Sequence, residues 1–219
     1  MPIRSYEIRI CNSCGLRYTL IENHPFGTRC PVCTGETRVV ISRELGVETR
    51  ALNREKEDRG KHVAVLLDNI RSAWNVGSIL RSADGFGFTH AYICGITPTP
   101  DHEAVIKTSL GAQDSVPWSY HKDAVDLVKN LKVEGWKFYG LEEDARAVAL
   151  GTRNTADESK GEVLIVGNEV TGVDPELLDL CDQIFYIPMR GEKKSFNVAT
   201  AFGIAAFVLR DNTIESNIK

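Results

Sequence analysis

The sequence contains no run of eighteen or more apolar residues, so no helix of it can cross a membrane. Its first residues, MPIRSYEIRIC, lack the apolar core of a signal peptide, and a cytoplasmic protein is expected. No G-x-G-x-x-G follows a strand-like run and no phosphate-loop G-x-x-x-x-G-K-[S/T] occurs, which disfavours a dinucleotide or P-loop site. No Ser-His-Asp arrangement is legible: His62, His90, His102 and His121 are scattered, and His24 lies between cysteines. There is no internal repeat and no low-complexity tract. Positive charge is not in excess, since 26 Lys/Arg stand against 30 Asp/Glu for a net −4. That balance argues against a coat protein that binds nucleic acid blindly.

What is present is a chain of 219 residues, 42% hydrophobic and 26% charged, enough for one sizeable core and a small appendage. The charge is unevenly spread. Residues 1–61 carry 11 Lys/Arg and 8 Asp/Glu, a net +3, and residues 62–219 carry 15 against 22, a net −7. A basic appendage on an acidic body suits local contacts with RNA.

Four of the six cysteines are paired in sequence as CNSC and CPVC, with 15 residues between Cys14 and Cys30. Cys11, Cys14, Cys30 and Cys33 therefore match the spacing of a four-thiolate zinc ribbon; a redox dithiol or ordinary thiols are the alternatives. Gly15 and Gly35 stand where such knuckles need a tight turn. Residues 1–41 are assigned to this ribbon. Residues 42–61, with alternating charges and few apolar residues, read as a solvated linker.

From residue 62 the pattern alternates. HVAVLLD, AYICGI, KFYGL, VLIVG and QIFYIPM read as strands. VGSILRSADGFG, DHEAVIKTSLGA, KDAVDLVKNLKV and DPELLDLC read as helices between them. Residues 62–219 are expected to form an α/β domain with a mostly parallel sheet. Ligands of such sheets bind beyond the carboxyl ends of the strands, which points to four loops: DNIRSAWNVGS, EEDAR, GNEVTG and MRGEKKSFN.

Within them, Asn75 is a candidate helix N-cap, Gly77 allows close approach, and Ser78 and Arg81 share a helix face. Arg81, among apolar neighbours, is either aimed inward at a phosphate or a surface arginine. Gly167 closes a buried strand and leaves room for a flat ligand. Glu169 either accepts hydrogen bonds from a ligand or favours the helix start at Asp174. Ser195 and Asn197 flank Phe196 at the start of a long apolar helix, with Lys193 and Lys194 outside it. They either grip a polar ligand or simply cap that helix.

Taken together, NVGSILR, GNEVTG and SFNVA resemble the three motifs of the SpoU-type RNA 2′-O-ribose methyltransferases of the SPOUT class, over residues 62–212. N-x-G-x-x-x-R is complete at Asn75, Gly77 and Arg81, and G-N-E-x-x-G at Gly167, Asn168, Glu169 and Gly172. The third motif departs from its usual form only in Phe196, where an aliphatic residue is common. The resemblance implies a C-terminal deep trefoil knot, S-adenosylmethionine contacted by Leu141, Gly167, Ile187 and Phe196, and a homodimer with its active site at the interface. It also implies methyl transfer to a ribose 2′-hydroxyl of tRNA or rRNA, with Arg81 central and Asn75, Glu169, Ser195 and Asn197 positioning it and the ribose. The alternatives are base methylation by a related SPOUT enzyme and an inactive RNA-binding or assembly protein on the same fold. The zinc ribbon is an addition to that core, and its positive charge suggests RNA docking.

Overall fold

The computed structural model describes residues 5–24, 27–44, 62–151, 159–193 and 195–210. The chain divides into two compact units, Met1–Glu57 and Asp58–Lys219. Most of the expected linker, from residue 45 to 61, and Lys194 lie outside the described residues. No described helix is long and apolar enough to cross a membrane.

The first unit is an antiparallel sheet of β1 (Ser5–Cys11), β2 (Arg17–Ile21) and β3 (Thr37–Glu44), in the order β2-β1-β3. Among its described residues only Arg9, Cys11 and Cys30 are buried. A unit with so little apolar interior needs another source of folding energy. Its two turns are built alike. The N–H of Gly15 donates to the carbonyl of Cys11 at 3.1 Å, and that of Thr34 to the carbonyl of Cys30 at 2.9 Å. Gly15 has φ 73° and Thr34 φ 57°. The second left-handed position is thus Thr34 and not Gly35, contrary to the sequence expectation. Gly35 is needed for a different reason: a Cβ there would stand 2.6 Å from Ser13 Oγ and 3.2 Å from Cys33 Sγ.

The second unit is a seven-stranded sheet in the order β6-β5-β4-β9-β7-β10-β8, and its strand pairs are parallel. The strands are β4 (His62–Asp68), β5 (His90–Cys94), β6 (Trp118–His121), β7 (Trp136–Leu141), β8 (Val148–Ala149), β9 (Gly161–Val166) and β10 (Gln183–Tyr186). The helices are α1 (Ala73–Gly85), α2 (Glu103–Ser109), α3 (Ala112–Ser115), α4 (Ala124–Val133), α5 (Pro175–Leu180) and α6 (Val198–Arg210). Both faces of the sheet are covered, so the central strands are continuously apolar. Val63, Val65 and Leu67 of β4 pack with Ile79, Leu80 and Phe202 on the side of α1 and α6. Ala64 and Leu66 pack with Val128, Leu177 and Leu178 on the side of α4 and α5.

β6 and β8 were not legible beforehand. β6 is a short, half-polar edge strand, WSYH. β8 is two residues long and pairs only with β10, which enters the sheet between β7 and β8.

Two local readings change in α1. Its N-cap is Ser72, whose Oγ accepts from the N–H of Asn75 at 3.4 Å, so Asn75 lies inside the first turn and is not the cap. Gly77 faces α2: a Cβ there would stand 1.9 Å from Thr108 Oγ1 and 2.7 Å from the Val105 carbonyl. The glycine lets two helices touch, as its lack of a side chain suggests.

Candidate active site

The loops after β4 and β9 and the start of α6 are tied together by side chains from all three sequence motifs. After β9, Asn168 and Gly172 exchange backbone hydrogen bonds at 3.0 and 2.9 Å, closing a tight loop. Asn168 Oδ1 accepts from the N–H of Val170 at 2.9 Å, and its Nδ2 donates to the Asn69 carbonyl at 2.8 Å. This fixes the β9 loop against the β4 loop. The loop presents Glu169 to the N-terminus of α1, where it accepts from the N–H groups of Arg71 at 2.8 Å and Ser72 at 3.0 Å. These N–H groups precede the first helical turn and have no partner within the helix.

Asn75 Nδ2 also donates to Glu169 Oε1, at 2.8 Å, while Asn75 Oδ1 accepts from Asn197 Nδ2 at 3.0 Å. Asn197 in turn caps α6, its Oδ1 accepting from Ala199 N–H at 2.9 Å and Thr200 N–H at 3.3 Å. The relay Glu169–Asn75–Asn197 therefore positions two helix N-termini with one carboxylate. Burial alone would push the Glu169 carboxyl up; the N–H of Arg71, the Asn75 amide and the N–H of Ser72 outweigh it and hold the group below its usual range.

A folded-state pKa below the unfolded one stabilises the protein above the unfolded value, and that gain disappears as pH falls through the lowered one. The anchoring of α1 by Glu169 should thus be constant from pH 8 to about 5 and lost only in stronger acid. Hydrogen exchange at the Arg71 and Ser72 amides measures this, with Glu169→Ala as the variant that loses it at every pH.

Beside this relay, at the carboxyl ends of β7, β9 and β10, lies a cavity of about 280 Å³. Leu141, Val166, Ile187 and Phe196 contribute apolar surface to its lining, Glu142, Glu143 and Glu169 contribute carboxylates, and Ser195 and Asn197 also line it. Such a site suits a ligand with a flat apolar part and positive charge. Leu141, Gly167, Ile187 and Phe196, the four residues expected to contact a cofactor, all line it.

Gly167 has a reason beyond ligand contact. A Cβ there would stand 2.3 Å from the Val173 nitrogen and 2.4 Å from the Gly172 carbonyl carbon. That space is filled by the loop's own backbone, so the glycine is needed for the loop to close as well as being part of the cavity lining. Glu142 was missed by the sequence reading, although its loop had been singled out. Its Oε2 accepts from Val173 N–H at 3.0 Å and its own N–H donates to the Phe185 carbonyl at 3.0 Å, so it joins the ends of β7, β9 and β10. An acidic run directly after a buried strand was the available signal.

Arg81 is placed elsewhere. It is exposed on α1, on the same side as Ser78 and the 60% exposed Trp74, and does not point into the unit as an inward-aimed arginine would. Among the described residues it is not part of this cavity's lining and has no hydrogen bond or ion pair. The motif thus divides: Asn75 meets Glu169 and Asn197, whereas Arg81 offers a free guanidinium on the outer face.

In the first unit, the Sγ atoms of Cys11, Cys14, Cys30 and Cys33 all lie within 4.8 Å of one another. Cys11 and Cys33 are 3.4 Å apart and Cys14 and Cys30 3.7 Å. A tetrahedral Zn²⁺ with Zn–S bonds of ~2.3 Å needs sulfurs ~3.8 Å apart, so the cluster has the right size. The N–H groups of Cys14 and Ser13 donate to Cys11 Sγ at 3.5 and 3.4 Å and favour its thiolate, bringing the thiol down to about 6.

The model of the SpoU rRNA Methylase family matches residues 62–207. The chain is 31% identical over 149 residues to the 23S rRNA (guanosine-2′-O-)-methyltransferase RlmB of Xanthomonas axonopodis pv. citri, covering 68% of this chain and 58% of that protein. It is 30% identical over 162 residues to the tRNA (guanosine(18)-2′-O)-methyltransferase of Thermus thermophilus, covering 73% of this chain and 80% of that one. Among solved structures, the AdoMet-bound rRNA methyltransferase from Sinorhizobium meliloti superposes with a TM-score of 0.63 at 28% identity, covering 68% of this chain and 56% of that one. The chain spans somewhat under three fifths of the rRNA-modifying relative's length, at 58%.

Proposed function

This chain belongs to the SpoU rRNA methylase family, and on that footing we propose that it methylates a ribose 2′-hydroxyl of tRNA or rRNA, using S-adenosylmethionine, in the cytoplasm. The observation that carries the reading is the single hydrogen-bonded relay in which Asn75 of the first motif joins Glu169 of the second and Asn197 of the third, the last two of which line the cavity.

The cavity suits the cofactor. Leu141, Ile187 and Phe196 offer apolar surface for an adenine, and Glu142 and Glu143 offer carboxylates to a cationic group. S-adenosylmethionine, when bound, supplies an activated methyl group on a sulfonium. The chain's own residues must hold the donor, exclude water from it and align the acceptor hydroxyl. Ser195 and Asn197, which also line the cavity, are suited to orient the ribose.

Arg81 keeps its proton at any working pH and is a poor literal base. Its role is to grip the phosphate next to the target ribose and orient the hydroxyl. Because Arg81 is exposed on α1 and is not part of its own cavity's lining, it serves the cavity of a second copy in a homodimer. The exposed Trp74 of α1 and the 49% exposed Phe207 of the adjoining α6 supply apolar surface for that contact. The insertion of β10 between β7 and β8 supports the deep trefoil knot that the family implies. The cysteine cluster holds Zn²⁺ as a structural metal.

The test is to incubate the protein with labelled S-adenosylmethionine and, separately, unmodified tRNA and rRNA, then digest to nucleosides. A 2′-O-methylnucleoside from one pool is expected and selects the substrate. A methylated base refutes the ribose reading, and absence of cofactor binding refutes the enzyme reading. Arg81→Lys should lower turnover by about 10²-fold or more, because a point charge cannot replace the two-pronged grip on phosphate. Near-normal turnover in that variant would remove Arg81 from this role.

A further inference from the structure

The three-stranded sheet of the first unit has two chemically unlike faces. Residues directly paired across antiparallel strands project to the same side, so the register sorts them. Arg17 of β2 and Arg38 of β3 both pair with Ile10 of β1, and Arg43 of β3 pairs with Tyr6. All three arginines therefore flank one row of β1 residues: Tyr6, Ile8 and Ile10. Ile21 and Ile41, 36% and 39% exposed, complete an apolar floor on that side.

The strand carboxylates fall on the other face. Glu7 pairs with Leu20 and Ser42, and Glu44 pairs with Ser5, whose Oγ reaches Glu22 at 3.5 Å. Arg9, the arginine of that other face, is buried and ion-paired with Glu7. By contrast Arg17, Arg38 and Arg43 are exposed and, among the described residues, have no ion pair.

We propose that this arginine-flanked face docks the phosphate backbone of RNA, a role that rests on the reading of the chain as an RNA-modifying enzyme. Arg17 and Arg38 lie two strand spacings apart, about 10 Å, and Arg43 lies about 13 Å further along the strands. Three guanidinium groups that have no ion pair among the described residues form a local positive field on a protein whose net charge is −4. The guanidinium fork fits phosphate oxygens, and the Tyr6 ring with its isoleucine neighbours gives unstacked bases a flat surface. Of the described carboxylates of this unit, Glu7, Glu22 and Glu44 belong to the opposite face, and Glu36 faces Arg29 at 3.8 Å.

The experiment uses the full zinc-loaded chain and fluorescence anisotropy with an unmodified tRNA transcript and an rRNA fragment, titrated at several salt concentrations. The combined Arg17→Ala, Arg38→Ala and Arg43→Ala variant should bind RNA at least 10-fold more weakly, and its log–log salt slope should fall by about 2–3. Arg29→Ala, which removes a guanidinium already facing Glu36 at 3.8 Å, should bind as the parent does. Metal content and mass by light scattering establish that the variants are folded. Unchanged affinity and slope in the triple variant overturn the proposal. A changed oligomeric state with unchanged RNA affinity also overturns it, and makes the face a contact between copies. Cofactor affinity is measured separately. If no RNA is methylated yet the triple variant still loses affinity, the activity reading fails and the docking face stands.

Discussion

Gly167→Ala should lower the melting temperature of the second unit by roughly 6–12 °C and weaken S-adenosylmethionine binding by about 100-fold or more. Position 167 directly follows β9, a strand whose six residues are all buried. The added methyl group would meet backbone atoms of Gly172 and Val173 at 2.3 to 2.5 Å, where no side-chain rotation can relieve it. One of two segments must move. If the Gly172–Val173 segment moves, Val173 N–H leaves Glu142 and the Asn168–Gly172 pairing opens. If β9 moves, it disturbs its pairing with β4 and β7. Either path shifts Glu169 away from the start of α1 and changes the cavity wall. Forcing such overpacking costs ~3 kcal/mol, which for a domain of this size is several degrees. Gly191→Ala is the control, because nothing stands within 4 Å of a Cβ at that position. Scanning calorimetry gives the stability change and titration calorimetry the cofactor affinity. A Gly167→Ala protein that melts and binds like Gly191→Ala would falsify the packing account.

Removing the metal proposed for the cysteine cluster, or replacing Cys30 by Ser, should unfold the first unit while the second remains folded. The described part of that unit buries only Arg9, Cys11 and Cys30, so almost no apolar contact is left once the thiolates lose their common partner. Binding of a structural Zn²⁺ contributes on the order of 10–16 kcal/mol of apparent free energy at neutral pH, far more than a three-stranded sheet can supply alone. Cys30, like Cys11, is a severe site to change, since it is buried and its N–H and carbonyl both belong to its turn, bonding Gly35 and Thr34. An amide correlation spectrum under strong chelation should lose the dispersed signals of residues 5–44 and keep those of 62–210. Retention of the first set after verified metal removal would show that the sheet does not depend on a metal. Because the second unit is compact by itself, cofactor binding by it should survive the loss.

Much of the second unit could be read in advance because its signals are local. HVAVLLD and VLIV are apolar throughout since both faces of β4 and β9 are buried. The 3.6-residue period of VGSILRSADG survives as the buried set Val76, Ile79, Leu80 and Ala83 of α1. The misreadings arose where a distant partner decides. Asn75 has the chemistry of an N-cap, but its amide is taken by Glu169, 94 residues away, and Ser72 caps instead. Thr34 holds the left-handed position that a glycine rule assigns to Gly35, whereas Gly35 leaves the space that Ser13 occupies. β8 exists only as a partner for β10.

By itself, then, the sequence determined the thiolate quartet, the alternation of strands and helices, and the three motifs. Each of these is written in residue type and spacing over a few turns of chain. Only the tertiary structure decided what the motifs touch. Glu169 and Asn197 lie 94 and 122 residues from Asn75 and meet at it because β9 runs beside β4 and α6 packs beside α1. The direction of Arg81 was decided there too. Helical spacing places it with Ser78, but only the packing of Ile79, Leu80 and Ala83 against the sheet turns that face outward. Periodicity names the face a residue shares with its neighbours; the order of the strands determines what that face meets.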